Sequence, residues 1–453
     1  MRREPTRALV IVPVLGPRAT RGRAPGAPGD ARAATTLHSP EDRLEEARGL
    51  AEAIDLDVRG AQLVTVNAPK PGTLIGSGKV DELKTLVERD EIELVIVDHA
   101  LSPVQQRNLE RAWNAKVLDR TGLILEIFGR RARTREGRLQ VELAHLTYQK
   151  SRLVRSWTHL ERQRGGAGFL GGPGETQLEL DRRIIQDRID SLHEELAKVV
   201  RTRELHRAGR RRVPYPIIAI VGYTNAGKST LFNRVTGAAV MAKDQVFATL
   251  DPTMREIRLP GGRRVILSDT VGFISDLPTM LVAAFRATLE EVIEADLILH
   301  VQDVSHTERA AQRVDVERVL DEIGIAVSGP DAHILEVWNK VDRLDAEQQD
   351  EMAHVARRAD GTPVLISAVT GAGIDTLLAR IDERLAGNDR IVSVSVPAAD
   401  GSLVAWLHEN TEVLSRDVTE DGAITLTLRI DPAKRGRLQA RLHRAGVAIH
   451  DRQ

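Results

Sequence analysis

The stretch Ile217-Ile-Ala-Ile-Val221-Gly222-Tyr-Thr-Asn-Ala-Gly227-Lys228-Ser229 decides the fold. An apolar run reads as a buried strand, G-x-x-x-x-G-K-[ST] follows at once, and residues 230–235 continue with helical spacing. Strand, glycine-rich loop and helix are the arrangement a bound phosphate requires: backbone N–H groups converge on it, and the helix N-terminus adds partial positive charge. In such a cradle Gly222, Tyr223, Thr224, Asn225, Ala226 and Gly227 surround the α- and β-phosphates. Lys228 reaches the β- and γ-phosphates, the Ser229 hydroxyl coordinates Mg²⁺, and Thr230 lies beside it. The expectation is an α/β P-loop domain that hydrolyses a nucleoside triphosphate.

Working outward, the remaining parts of such a site occur in the expected order. Asp269-Thr270-Val271-Gly272 closely follows an apolar strand at 265–267, which places Asp269 to hold Mg²⁺ through water and the Gly272 N–H to sense the γ-phosphate. Phe247-Ala248-Thr249-Leu250-Asp251 lies between the first helix and the next strand, where a switch threonine, Thr249, joins the metal only while the γ-phosphate is present. The metal set is therefore Ser229, Thr249 and Asp269, and the catalytic set Lys228, Thr249 and Gly272. Asn339-Lys340-Val341-Asp342 follows the strand at 334–337. A carboxylate here accepts from N1–H and the 2-amino group of guanine, donors that adenine lacks, so the motif points to GTP. Ser367-Ala368-Val369, after another short strand, is placed to offer the guanine O6 a backbone N–H. Phe273 stands where many GTPases carry the glutamine that orients the attacking water. Phenylalanine has no group for that task, so slow intrinsic hydrolysis is expected.

The flanking segments divide the chain. Residues 1–38 read as a buried strand, 8–15, followed by a flexible Gly/Pro-rich loop; arginines where a cleavage site would lie argue against a secretion signal. Residues 39–130 alternate helix (41–54), strand (62–66), helix (79–89), strand (92–97) and helix (101–115), a small parallel α/β domain. In 131–212 the period changes: Leu139, Leu143, Leu146, Lys150, Leu153, Trp157 and Leu160 are spaced as in a coiled coil, and Ile185, Ile189, Leu192, Leu196 and Val199 repeat the pattern. Two long helices in an antiparallel hairpin follow, the second capped by Thr176-Gln-Leu-Glu179. Their connection, 165–174, is rich in glycine, with Phe169 and Leu170 as its larger side chains, and suits a tip that orders against a partner. The GTPase domain spans 213–389, and 390–453 reads as a small α+β domain.

Composition narrows the classes. A chain of 453 residues is too long for one domain, and its 42% hydrophobic and 28% charged residues are ordinary for a globular protein. No apolar run is long enough for a membrane span. With no cysteine, disulfides, Cys-ligated zinc, iron–sulfur clusters and thiol catalysis are excluded, and a reducing cytosol is the compatible compartment. The net charge of −1 conceals a separation: residues 130–212 carry 20 Lys and Arg against 11 Asp and Glu, whereas 213–389 carry 17 against 27. A basic hairpin beside an acidic nucleotide domain suits the presentation of one element to a polyanion.

Several motifs outside the GTPase core carry a more specific likeness. Gly72-Thr-Leu-Ile-Gly-Ser-Gly-Lys79-Val, Asp119-Arg-Thr-Gly-Leu-Ile-Leu-Glu-Ile-Phe128, Arg131-Ala-Arg-Thr-Arg-Glu136, Leu139-Gln-Val-Glu-Leu143 and Gly172-Pro-Gly-Glu-Thr-Gln-Leu-Glu-Leu-Asp-Arg-Arg183 together resemble the HflX family of ribosome-associated GTPases over nearly the whole chain. The resemblance implies GTP hydrolysis with Mg²⁺, binding to the large (50S) ribosomal subunit, and entry of the hairpin tip into the peptidyl-transferase region against ribosomal RNA. It further implies a role in protein synthesis, ribosome splitting or recycling under stress, or ribosome biogenesis. A cytoplasmic monomer is expected, associating with ribosomes or peripherally with membrane. Gly76-Ser-Gly78-Lys79 resembles a second phosphate loop, but Val80 stands where Mg²⁺ needs a hydroxyl, and a structural turn is the preferred reading. Two other classes remain: a signalling switch with protein effectors, and an RNA-remodelling ATPase driven by the N-terminal domain. The tRNA-modifying GTPases are disfavoured because their usual C-terminal cysteine is absent here.

Overall fold

In a computed structural model the following residues are described: 5–16, 38–163, 173–210, 215–238, 253–276, 286–329, 332–358, 362–386, 390–397, 400–418, 423–430 and 432–451. Strands β1 (Arg7–Leu15), β2 (Asp57–Val66), β3 (Leu94–Val97) and β4 (Lys116–Asp119) form a parallel sheet of order β2-β1-β3-β4. Helices α1 (Pro40–Glu52), α2 (Ser77–Arg89), α3 (Pro103–Trp113) and α4 (Arg120–Arg131) connect or follow them. Because β1 lies inside this sheet, the strand assigned to a separate N-terminal segment 1–38 belongs to the same layer as 39–130, as its apolar sequence requires for burial on both faces. The four-residue β4 is too short for its periodicity to show in the sequence. Lys79 pairs with Glu82 across one helical turn at 2.6 Å, and Gly76 is simply the N-cap of α2.

The hairpin helices are α5 (Arg135–Gln163) and α6 (Pro173–Arg210). Leu139, Ile189 and Leu192 are buried along their seam, and the polar seam residue Lys150 donates to Gln186 of the opposing helix. The N-terminus of α6 differs from the expected capping box: the helix starts at Pro173, so Thr176 sits in its first turn. Proline is favoured at a first helical position because its missing N–H would have no helical partner there. Residues 164–172, the centre of the glycine-rich tip, lie outside the described residues.

The nucleotide domain contains β5 (Ile217–Gly222), α7 (Lys228–Thr236), β6 (Thr253–Arg258), β7 (Arg264–Asp269), α8 (Arg286–Ile293), β8 (Leu297–Asp303), α9 (Arg309–Glu322), β9 (Ile334–Asn339), α10 (Ala346–Arg358), β10 (Val364–Leu365) and α11 (Ile374–Ala386). Its sheet runs β10-β9-β8-β5-β7-β6, with only β6 antiparallel. The C-terminal domain sets β11 (Arg390–Val396), β12 (Glu412–Val418), β13 (Ile424–Ile430) and β14 (Ile449–Asp451) in an antiparallel sheet with α12 (Gly401–Asn410) and α13 (Pro432–Arg444). One apolar core crosses between the first domain and the nucleotide domain: Val10, Ile96 and Phe128 share a cluster with Val221, Tyr223, Val271 and Phe273.

Candidate functional site

The phosphate loop leaves β5 at Gly222, whose φ of +150° would drive any Cβ into the Val301 carbonyl of β8. Gly227 has φ +94°, and a Cβ there would collide with the Asn339 side chain. Two close backbone approaches, neither tolerant of a side chain, thus hold the loop in a narrow path. α7 then begins after Gly227 with no side-chain cap, at the end of the helix whose partial positive charge favours an anion.

Lys228 is buried at the helix start, and its ammonium donates 2.7 Å to the Tyr223 carbonyl, arching over the loop. Burial, with a smaller effect from Lys340, pushes its pKa down to about 8 against the opposing pull of Asp269. It remains mostly charged near neutrality, and a polyphosphate would hold it so. The Ser229 hydroxyl donates 2.7 Å to Asp269 Oδ2, at the buried end of β7. A hydroxyl and a carboxylate side by side at the loop form an all-oxygen donor pair that fits Mg²⁺, a hard ion that completes its shell with waters and phosphate oxygens. GTPases of this class generally use Mg²⁺ with their nucleotide. The switch residues Phe247, Ala248, Thr249, Leu250 and Asp251 lie outside the described residues.

Asn339 ties the base-recognition elements to the phosphate loop, donating 2.8 Å to the Ala226 carbonyl and accepting 2.9 Å from the Ala368 N–H. That N–H, expected to face guanine O6, is therefore engaged by Asn339 in this arrangement, because the amide side chain reaches it first. Lys340 adopts φ +70° and pairs with Asp303 at 2.6 Å. Asp342 stands exposed on the single turn Val341–Arg343, open to a base. Ser367 is buried and its Oγ accepts the Thr370 N–H, while Val369 is exposed and lends its carbonyl to Arg234. A cleft of about 910 Å³ runs from Thr224, Asn225 and Lys340 to Glu41 and Glu45 on α1.

Past β7, Thr270 donates 2.6 Å to the Ile220 carbonyl, and Val271 and Phe273 enter the shared core. Phe273 is laced to the phosphate loop: its N–H donates 3.1 Å to the Gly222 carbonyl, and its own carbonyl accepts 2.7 Å from the Thr224 N–H. The residues that hold Ser275 were not foreseen. Arg120 donates to its carbonyl (2.8 Å) and hydroxyl (2.9 Å), and the Tyr223 hydroxyl accepts its N–H (2.8 Å) and donates to Glu46. Glu46 also accepts from Arg120 and from the Ser275 hydroxyl. Nothing local in the sequence joins Glu46 to Ser275; only the aromatic Tyr223 in an otherwise small-residue loop hinted at a neighbour.

Residues 217–340 match the family described as 50S ribosome-binding GTPase, 41–129 the GTP-binding GTPase N-terminal region, 131–210 its middle region, and 352–451 the HflX C-terminal domain. A protein of Magnetococcus marinus named GTPase HflX is 49% identical over 409 residues, covering 90% of this chain and 93% of its own. The chain belongs to the HflX family. Escherichia coli GTPase HflX is 46% identical over 381 residues, covering 82% and 86%. The crystal structure of a GTP-binding protein from Sulfolobus solfataricus in complex with GDP covers 84% of this chain and 98% of that one at 24% identity, TM-score 0.43. As an HflX-family member the chain is a GTPase with a ribosome-binding GTPase domain, and among its described residues no helix is long and apolar enough to cross a membrane.

Proposed function

We propose that this GTPase binds the large ribosomal subunit in its GTP state, presents hairpin 131–212 to ribosomal RNA in the peptidyl-transferase region, and releases after hydrolysis. Splitting or recycling of ribosomes under stress is the act this reading favours, with biogenesis as the other use of the same contact. The observation that carries it is a strongly basic hairpin placed directly before a segment, 217–340, that matches 50S ribosome-binding GTPases. Arg and Lys on the hairpin neutralise phosphates, and the glycines of 165–174 allow close backbone approach to RNA.

At the nucleotide, the loop 222–229 cradles the phosphates, Lys228 places its ammonium toward the β- and γ-oxygens, and Asp342 selects guanine. Ser229 and Asp269, joined in the GTP state by Thr249, would hold Mg²⁺, which when bound neutralises charge on the β- and γ-phosphates. Gly272 presents its N–H to the γ-phosphate. Phe273 supplies no polar group to a water, so its alignment falls to the switch at 247–251 or to the ribosome. The protein acts as a cytoplasmic monomer.

Cosedimentation with 50S subunits, 70S ribosomes and free RNA under GTP, GDP and a non-hydrolysable analogue tests the reading. Expected is 50S binding that is strong with the analogue and weak with GDP; equal binding in all states would overturn the switch. Binding that barely responds to salt would favour a protein effector instead.

A further inference from the structure

The described geometry contains a contact that the GTPase chemistry alone does not require. Ser275, three residues past Gly272, has its N–H, carbonyl and hydroxyl all engaged, and each bond leads to Tyr223 of the phosphate loop or to Glu46 and Arg120 of the first domain. Arg120 is itself pinned by Asp98, which also takes Arg43 at 3.1 Å. Burial disfavours its charge, but Asp98 and Glu46 outweigh that and hold the guanidinium charged. With Ser275 fixed, the chain before it closes on the loop: a Cβ on Gly272 would lie 3.0 Å from Lys228 Nζ and 3.1 Å from Thr224 Cα. The Thr224 N–H is spent on the Phe273 carbonyl.

We propose that Glu46 and Arg120 are positioning residues for the segment 272–275, holding it closed on the phosphate loop and so setting the balance between GDP and GTP. The inference rests on the reading of Gly272 as the γ-phosphate sensor. GDP makes no demand on Gly272, whereas the γ-phosphate of GTP has to enter between Lys228 Nζ and Gly272, where even a Cβ would lie 3.0 Å from the ammonium, and with Ser275 clamped on three sides that entry works against the clamp. Releasing the clamp therefore favours GTP selectively. The clamp also adjoins the hairpin, because Asp119, the residue before Arg120, accepts from the Tyr148 hydroxyl and Arg152 of α5 and caps α4 through the Gly122 N–H. A partner that moves α5 strains the same turn.

The test uses the full chain with Glu46→Gln and Ser275→Ala, the second serving if the first fails to fold, since it removes only one hydroxyl. Affinities for GDP and for a non-hydrolysable GTP analogue are measured with fluorescent nucleotides beside thermal unfolding. Each variant is expected to improve the analogue-to-GDP affinity ratio by about tenfold, in the range of ordinary coupling between sites, with GDP binding little changed. Glu383→Gln, which removes an exposed pair with Arg380 on α11, is expected to leave the ratio as in wild type. Parallel weakening of both nucleotides, or an unchanged ratio in Glu46→Gln and Ser275→Ala, would overturn the proposal. Failure of the wild type to bind either nucleotide would instead overturn the site reading beneath it.

Discussion

At the scale of single residues, Asp342 and His38 report on different parts of the molecule. Asp342 is exposed and its value is chemical: a carboxylate accepts from both guanine donors, and an amide offers one of them an N–H instead. Asp342→Asn is expected to weaken GTP binding about a hundredfold or more, and to bind xanthosine triphosphate, whose 2-oxo group accepts that N–H, more tightly than wild type does. Competition binding with the two nucleotides checks this. His38 bridges Glu308 and Asp315 at 2.6 and 2.7 Å. Burial disfavours its charge, but hydrogen bonds to Asp315 and Glu308, with the charges of Asp315 and Glu46, raise its pKa from 6.5 to about 9. A raised folded-state pKa stabilises the fold fully below the unfolded value near 6.5, and the contribution is lost as pH rises through 9. Thermal unfolding is therefore expected to fall between pH 6.5 and 9.5, and His38→Gln to flatten that fall. Asp342 stands in a motif that local sequence displays, whereas nothing local marks His38, because its partners lie some 270 positions away.

Elements show where pattern sufficed and where it could not. The hairpin was legible because a repeat that places one apolar residue every three or four positions admits one partner, a second helix with the same repeat. Its polar exception, Lys150, resolves by reaching Gln186. The start of α6 was misplaced because Thr176 and Glu179 satisfy a capping pattern equally well three residues inside a helix that Pro173 can begin. Leu192 is fully buried at the seam. Leu192→Ala is expected to cost about 2–5 kcal/mol of local stability, read as faster hydrogen exchange in α5 and α6, with guanine-nucleotide affinity unchanged. Equal acceleration throughout 217–386 would mean that the hairpin is not a separate cooperative unit. The clamp on Ser275 is the opposite case, since it is made by α1, the start of α4 and the phosphate loop, and long-range polar contacts leave no periodicity to read.

Over the whole molecule, charge is partitioned more sharply than the folded domains alone would require. The acidic nucleotide domain and α1, whose Glu41 and Glu45 face the cleft, would be repelled by RNA, so on the proposed function a ribosome is approached with the hairpin leading. This orientation has a measurable consequence. Arg182 and Arg183 are exposed on α6, near the apolar and equally exposed Leu180 and Ile184. If both arginines neutralise phosphates, each contributes to counterion release, and affinity for 50S subunits falls linearly in a plot of its logarithm against that of salt. Replacing both by glutamate is expected to lower affinity at moderate salt and to reduce the slope by about 1.4–1.8, the share of two phosphate contacts. A matched reversal of Arg357 and Arg358, in the last turn of α10 on the nucleotide domain, is expected to leave the slope unchanged. Were both pairs to change it equally, the subunit would be sensing net charge alone and the hairpin would not be the leading element.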